Sequence, residues 1–248
     1  MIALGSIAGV LLLAGCTQQR GPAGVEPRAE PPEVVVVAPV LNLSNSTYWD
    51  PLKVTDILAS EFQSFPGIVV VPVNRTLAAL ALRGKSAVET PQDALDLARE
   101  LQADATIVTA ITEYHPYHPP RVGLVMQWYA PPHRHRPAPA RFDPVVASRQ
   151  AAEVAPAASV TAAATPVLQI QQVYNAAEDA VLADARAFGA RRSGHDSPYG
   201  AGIYVKSQEL FVRYCCWASI RSMLLERDSS RITPGDAETK QCTQDGDV

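Results

Sequence analysis

The chain has 248 residues, of which 47% are hydrophobic. This length and composition allow a substantial core in one large domain or two small ones. The formal net charge of −4 argues against a general nucleic-acid-binding protein, because such proteins are usually basic. No apolar stretch beyond the N-terminus is long enough to span a bilayer.

The N-terminal segment predicts export and lipid attachment. Residues 2–13 are apolar and lead into the tetrad Leu-Ala-Gly-Cys, which ends at Cys16 and resembles the bacterial lipobox. We expect residues 1–15 to be a signal peptide, Cys16 to carry membrane lipid, and residues 16–32 to form a flexible tether. Thr17 favours the outer membrane, with the protein facing the periplasm. The segment lacks a positive n-region, which indicates a misplaced start codon or an atypical signal. A plain signal peptide or a chance tetrad is the alternative.

The first folded element predicted by the sequence is a buried strand that feeds a helix. Residues 34–37 are four consecutive valines, as in a strand covered on both faces. The following loop contains Asn42 and Ser44, whose side chains favour turns. Asp50 is a suitable N-cap, and Pro51 suits the first position of a helix that we expect to end near Phe65.

The later segments predict an α/β fold with a single layered domain at residues 33–227. Strands alternate with helices and a hairpin follows, so we expect a mixed β-sheet with helices packed on it. The expected strands are 68–73, 105–111, 122–129 and 167–174; the expected helices are 91–101, 177–188 and 208–226. Residues 74–85 suggest a short helix or an irregular link, and residues 189–202 a polar loop. Residues 130–166 predict a disordered insertion in the hairpin, and residues 228–248 a loose tail.

Two stretches resemble the amino-terminal domain of TolB and the related CsgG-type periplasmic lipoproteins. They are VVVVAPVLNLSNSTYWDPLKVTDILASEF, with Pro39, Asn42 and Ser44 at the motif positions, and LARELQADATIVTAITEY, with Ala103 and Asp104. The resemblance covers roughly residues 33–128 and, more weakly, the closing helix. It implies an anticodon-binding-like α/β fold and adaptor, assembly or regulatory work through contacts with envelope proteins, without catalysis or a cofactor.

The candidate binding residues lie in the loop before the first helix. They are Asn42, Ser44, Tyr48 and Trp49. The two aromatic residues either pack as a staple over the helix start or form an interface anchor.

Histidines and cysteines suggest weaker sites. His115, His118, His133 and His135 are candidate metal ligands, although exposed histidines in proline-rich loops explain them as well. Arg134, Arg136 and Arg141 could instead meet anions. If Cys16 is lipidated, a disulfide of Cys242 with Cys215 or Cys216 is plausible in an oxidising periplasm, with three reduced thiols as the alternative.

Two further functions are disfavoured by the sequence. His195, Asp196 and Ser197 are the residue types of a hydrolase triad, but three contiguous side chains cannot align as one. A secretion pore subunit would need long alternating strands, and residues 130–166 do not alternate. The leading hypothesis is therefore a non-catalytic adaptor, with a metal- or anion-binding envelope module as the alternative.

Overall fold

The computed structural model describes residues 32–131, 165–192 and 198–232. These residues all belong to one compact unit. The predicted signal peptide, the lipidation site and residues 132–164 of the predicted insertion (130–166) lie outside the described residues, as does the chain after residue 232. Within the described ranges, no helix is both long and apolar enough to cross a membrane.

A mixed sheet forms the centre of the fold, as the sequence predicts. Its strand order is β3-β1-β4-β5-β6, and the short β2 also pairs with β4. The parallel pairs are β1 with β3, β1 with β4 and β2 with β4, whereas β4, β5 and β6 are antiparallel neighbours. The strands are β1 (Glu33–Val37), β2 (Leu41–Asn42), β3 (Ile68–Val70), β4 (Ala105–His115), β5 (Arg121–Tyr129) and β6 (Leu168–Asn175).

Five α-helices and one 3₁₀ segment are present in the described ranges. The predicted caps are confirmed: the Asp50 side chain accepts a hydrogen bond from the Leu52 amide, and Thr90 and Asp93 form a capping box. The helices are α1 (Pro51–Gln63), α2 (Val73–Leu82), α3 (Pro91–Glu100), α4 (Asp179–Arg192) and α5 (Gln208–Ile232), and the 3₁₀ segment is Gly200–Val205.

Helices cover both faces of the β1 region, which explains its unbroken apolar run. Val35 and Val37 face a cluster built with α1, α4 and α5, whereas Val34 and Val36 face a smaller cluster with α2 and α3. All four side chains are fully buried. Successive residues of a strand point to opposite faces, so both faces require apolar side chains here.

The structure corrects several predicted boundaries. The segment expected to be a short helix or an irregular link is the regular helix α2, because Ala79 and Leu80 are buried in the smaller cluster. The second strand ends at Val70 rather than residue 73, since Pro72 has no amide to donate to a ladder. The loop expected at 189–202 is partly helical, with α4 reaching Arg192 and the 3₁₀ segment beginning at Gly200.

The last helix also continues beyond the predicted end at residue 226. Arg227 forms an ion pair with Glu33 of β1, and its guanidinium lies 5.2 Å from the Trp128 ring centre. These contacts fix the side chain against the sheet, so α5 extends to Ile232. The sequence alone did not indicate them, because Glu33 is far away in the chain.

Candidate functional site

Two loops meet at the carboxyl ends of the parallel strands. Residues 43–50 follow β2, and residues 116–120 follow β4, which runs parallel to β1 and β2. The Tyr48 and Tyr117 rings, one from each loop, are 6.1 Å apart in an edge-to-face arrangement. This rim of an open α/β sheet is the usual place for binding sites.

Side chains hold the first loop in one shape. The Asn42 Oδ1 atom accepts hydrogen bonds from the Ser44 amide (3.2 Å) and hydroxyl (2.8 Å), and its Nδ2 atom donates to the Ser46 carbonyl at 2.8 Å. Asn45 adopts a left-handed φ of 56°, which asparagine tolerates better than most residues. The predicted site residues Asn42 and Ser44 therefore shape the loop through contacts within it.

The two predicted aromatic residues have different environments. Trp49 is half-buried against the larger cluster, its ring lies 6.1 Å from that of Tyr114, and its indole N–H donates to the Ser44 hydroxyl at 3.3 Å. Burial raises the pKa of Tyr114 above its usual value, which keeps this neighbouring hydroxyl neutral. Tyr48, by contrast, is 65% exposed. Trp49 thus supports the loop from behind, and Tyr48 faces solvent.

Three large side chains are exposed on the two loops, and we call them the rim patch. They are Leu43 (59% exposed), Tyr48 (65%) and Tyr117 (62%). The Leu43 amide donates to the Ile111 carbonyl at 2.9 Å, which ties its backbone to β4. The Tyr48 amide donates to the Ser46 hydroxyl at 3.3 Å, so the backbones of Leu43 and Tyr48 are both held by hydrogen bonds.

A cleft of about 490 Å³ lies beside the rim patch, between the starts of α1 and α5. Trp49 and Tyr114 contribute aromatic walls, and Lys53 pairs with Glu209 at 2.6 Å across it. Ser207 caps α5 by accepting a weak 3.4 Å bond from the Leu210 amide. Lys53, Glu209 and Ser207 of the cleft are thus already engaged with one another or with a helix end.

The candidate metal ligands are only partly described. The His115 ring packs edge-on against Tyr117 at 6.2 Å, and the His118 Nδ1 atom lies 3.4 Å from the Val205 carbonyl oxygen. No three His, Cys, Asp or Glu side chains in the described ranges are placed to share a metal ion. His133 and His135 lie outside these ranges, as do Arg134, Arg136 and Arg141, so metal or anion binding by them stays a prediction.

Cys215 and Cys216 are free thiols in the larger cluster, and both are fully buried. Burial raises the pKa of Cys216 to about 12 and that of Cys215 well above its usual value. Their predicted partner Cys242 lies outside the described residues, so the disulfide stays a prediction. His195, Asp196 and Ser197 also lie outside them.

A buried ion cluster was not predicted. Glu61 of α1 is fully buried and accepts two hydrogen bonds from Arg192 (2.8 and 2.6 Å) and one from Arg213 (2.8 Å). The sequence carries a weak signal for it, since Glu61 falls on the apolar stripe of α1 between Leu58 and Phe65. The cluster joins α1, α4 and α5 at the last turn of α1.

Comparison with known proteins gives distant structural likenesses only. No protein-family model and no curated protein sequence matches the chain. The hypothetical protein CT253 from Chlamydia trachomatis has 12% identity and a TM-score of 0.40 over 78% of this chain and 95% of that one. Lipoprotein GNA1162 from Neisseria meningitidis has 16% identity and a TM-score of 0.35, over 58% and 82% of the two chains. The LpoB C-terminal domain from Salmonella enterica has 14% identity and a TM-score of 0.38, over 58% of this chain and 84% of that one. Likenesses this distant carry no argument about function.

Proposed function

We propose that this protein is a lipid-anchored adaptor that faces the periplasm from the outer membrane and acts through protein contacts rather than catalysis. The lipobox-like tetrad ending at Cys16 supports the anchor. The rim patch of Leu43, Tyr48 and Tyr117 supports the contact surface and is the observation that carries the proposal. Large aromatic side chains held on a fixed backbone are typical of interface anchors.

The loop structure favours protein contact over the binding of a small ligand. Leu43 and Tyr117 are exposed and do not line the cleft, whereas a small-molecule site is usually a concave pocket. The loop that carries Leu43 and Tyr48 is ordered before any partner arrives, through the bonds of Asn42 and Ser44. A partner would therefore bind without the entropic cost of ordering this loop.

Crosslinking in intact cells tests the contact surface. The tagged full-length protein should capture defined partner bands, and Leu43→Ala and Tyr48→Ala/Tyr117→Ala should each remove them. Leu82→Ala is the matched control, because Leu82 is 61% exposed but lies at the end of α2. Loss of the bands in the Leu82 variant as well, or their retention in both rim variants, would refute the proposed surface.

Mass spectrometry of the mature N-terminus tests the anchor separately. We expect residues 1–15 to be absent and Cys16 to carry acyl chains. Membrane fractionation should then place the protein in the outer membrane, and Cys16→Ala should release it from the membrane fraction. An intact Met1 or an unmodified Cys16 would overturn the anchoring claim and leave the rim patch to be judged on its own test.

A further inference from the structure

Strand β6 forms one lateral edge of the sheet. Its partner β5 lies on one side only, with pairs that run from Arg121 opposite Asn175 to Trp128 opposite Leu168. No strand in the described part of the chain pairs with its other side. This edge is eight residues long, whereas the opposite edge strand β3 has only three.

The ladder register shows which backbone groups face outward. The Ala176 amide donates to the Pro120 carbonyl at 2.9 Å, and opposite residues of an antiparallel pair alternate between bonded and non-bonded. Tyr174, and every second residue before it, therefore bonds to β5. The N–H and C=O groups of Gln169, Gln171 and Val173 point to the free edge, and no hydrogen bond from another described residue reaches them.

The same three residues lie on an open face of the sheet. Ile170 and Tyr174 are buried in the larger cluster, so the side chains of the alternate residues Gln169, Gln171 and Val173 point to the other face. Gln169, Gln171 and Val173 are all exposed. The helices on that face, α2 and α3, contact β1, β4 and one end of β5 rather than β6.

Strand β6 lacks the features that normally prevent edge pairing. Its sequence, LQIQQVYN, contains no charged residue, no proline and no glycine. Natural edge strands are usually protected by lysine, proline, a bulge or a short length. The β3 edge has this protection through its length of only three residues. The contrast indicates that the β6 edge is kept open for pairing.

We propose that β6 pairs with β6 of a second copy of this chain, antiparallel about a two-fold axis at Gln171, to form a homodimer with a continuous sheet. This register brings Gln171 opposite Gln171 and Gln169 opposite Val173. It uses all outward groups of the three residues, for about six backbone hydrogen bonds. A second copy fits this edge because the strand is neutral and so meets no like charge when opposed to itself.

The first test is the oligomeric state of the full-length protein in detergent, by analytical ultracentrifugation over a micromolar-to-millimolar series. We expect twice the monomer mass for the wild type and the monomer mass for Gln171→Pro. The Gln171 amide points outward, so proline there removes no bond to β5, and far-UV circular dichroism should confirm an unchanged fold. Gln171→Lys is a second variant, which opposes two charges at the axis. A monomeric wild type, or a dimer that survives both substitutions, would overturn the proposal.

Cysteine crosslinking under mild oxidation tests the register. Gln171→Cys should give a covalent dimer, because the Cα atoms of a bonded antiparallel pair lie about 5.5 Å apart, within disulfide range. Gln169→Cys alone should not crosslink, but Gln169→Cys/Val173→Cys should. The parent protein controls for its native cysteines. Equal crosslinking by Gln169→Cys and Gln171→Cys would contradict the two-fold axis at Gln171.

Discussion

Removing one partner from the buried ion cluster around Glu61 should strongly destabilise the protein. Its carboxylate is fully excluded from solvent and accepts three charge-assisted hydrogen bonds, two from Arg192 and one from Arg213. Replacing Arg192 by methionine would leave a buried charge with one partner instead of two. Uncompensated buried charges of this kind cost about 3–5 kcal/mol, so we expect Arg192→Met to lower the free energy of unfolding by about 3 kcal/mol.

The other two substitutions at the cluster should cost less. Arg213→Met leaves the bidentate pair intact, so a loss of about 1–2 kcal/mol is expected, the scale of one hydrogen bond to a charged group. Glu61→Gln leaves two arginines whose side chains are 31% and 25% exposed, so water can solvate them in part. We therefore expect Glu61→Gln to lie between the two arginine variants.

Urea denaturation, followed by circular dichroism, measures these free energies of unfolding. Glu209→Ala is the control, because Glu209 pairs with Lys53 where both side chains are about half exposed. Such surface pairs contribute about 0–1 kcal/mol, so this variant should barely shift the midpoint. A loss below about 1 kcal/mol for Arg192→Met, or one equal to that of the Glu209 control, would refute the reasoning.

Four further predictions concern the packing around Gly189, the two buried thiols and the predicted insertion. Gly189→Ala should lower the Tm by several degrees in a thermal melt, because a Cβ there would lie 2.6 Å from the Tyr204 ring; an unchanged Tm would contradict this contact. Cys215 and Cys216 should resist thiol reagents until the protein unfolds, as peptide mapping can show. Burial raises the pKa of Cys216 to about 12. The contribution of its neutral thiol to the free energy of unfolding should therefore be fully present below the ordinary thiol pKa of about 8.5, and it should decline as the pH rises from that value toward 12. Replacing residues 131–165 by a short Gly-containing turn should leave the Tm unchanged or higher, with about 2 kcal/mol of loop entropy returned, and a loss of cooperativity would refute that.

Local sequence patterns predicted the individual elements well. Four consecutive valines identified β1, and the Thr90 cap identified the start of α3. The pairing of β5 with β6 was also predicted, although their partner residues are more than thirty positions apart, because each segment alone has the pattern of a half-buried strand. The resemblance to a specific lipoprotein family stays a resemblance of the sequence.

Contacts between distant elements could not be predicted in this way. Arg192 fell in a stretch expected to be a loop, and nothing local indicates that it reaches Glu61, 131 positions away. Tyr117 was not among the binding residues predicted from the sequence. Its contact with Tyr48 depends on the length of β4, which runs to His115 rather than ending at Ile111. The extension of β4 from Ile111 to His115 therefore brings Tyr117 to the candidate site.

The rim patch can be tested by mutation because its exposed tyrosines are different residues from Trp49, which supports the loop. Trp49 is half-buried and contacts the core, so replacing it would change the loop and the helix start together, and lost binding could not be assigned to lost contact. Tyr48 and Tyr117 are mostly exposed, and substitutions at such surface positions usually change stability by less than about 0.5 kcal/mol. A binding defect in variants of these two tyrosines therefore reports on the surface itself. The sequence proposed Tyr48 and Trp49 as one unit, but their environments give them separate roles.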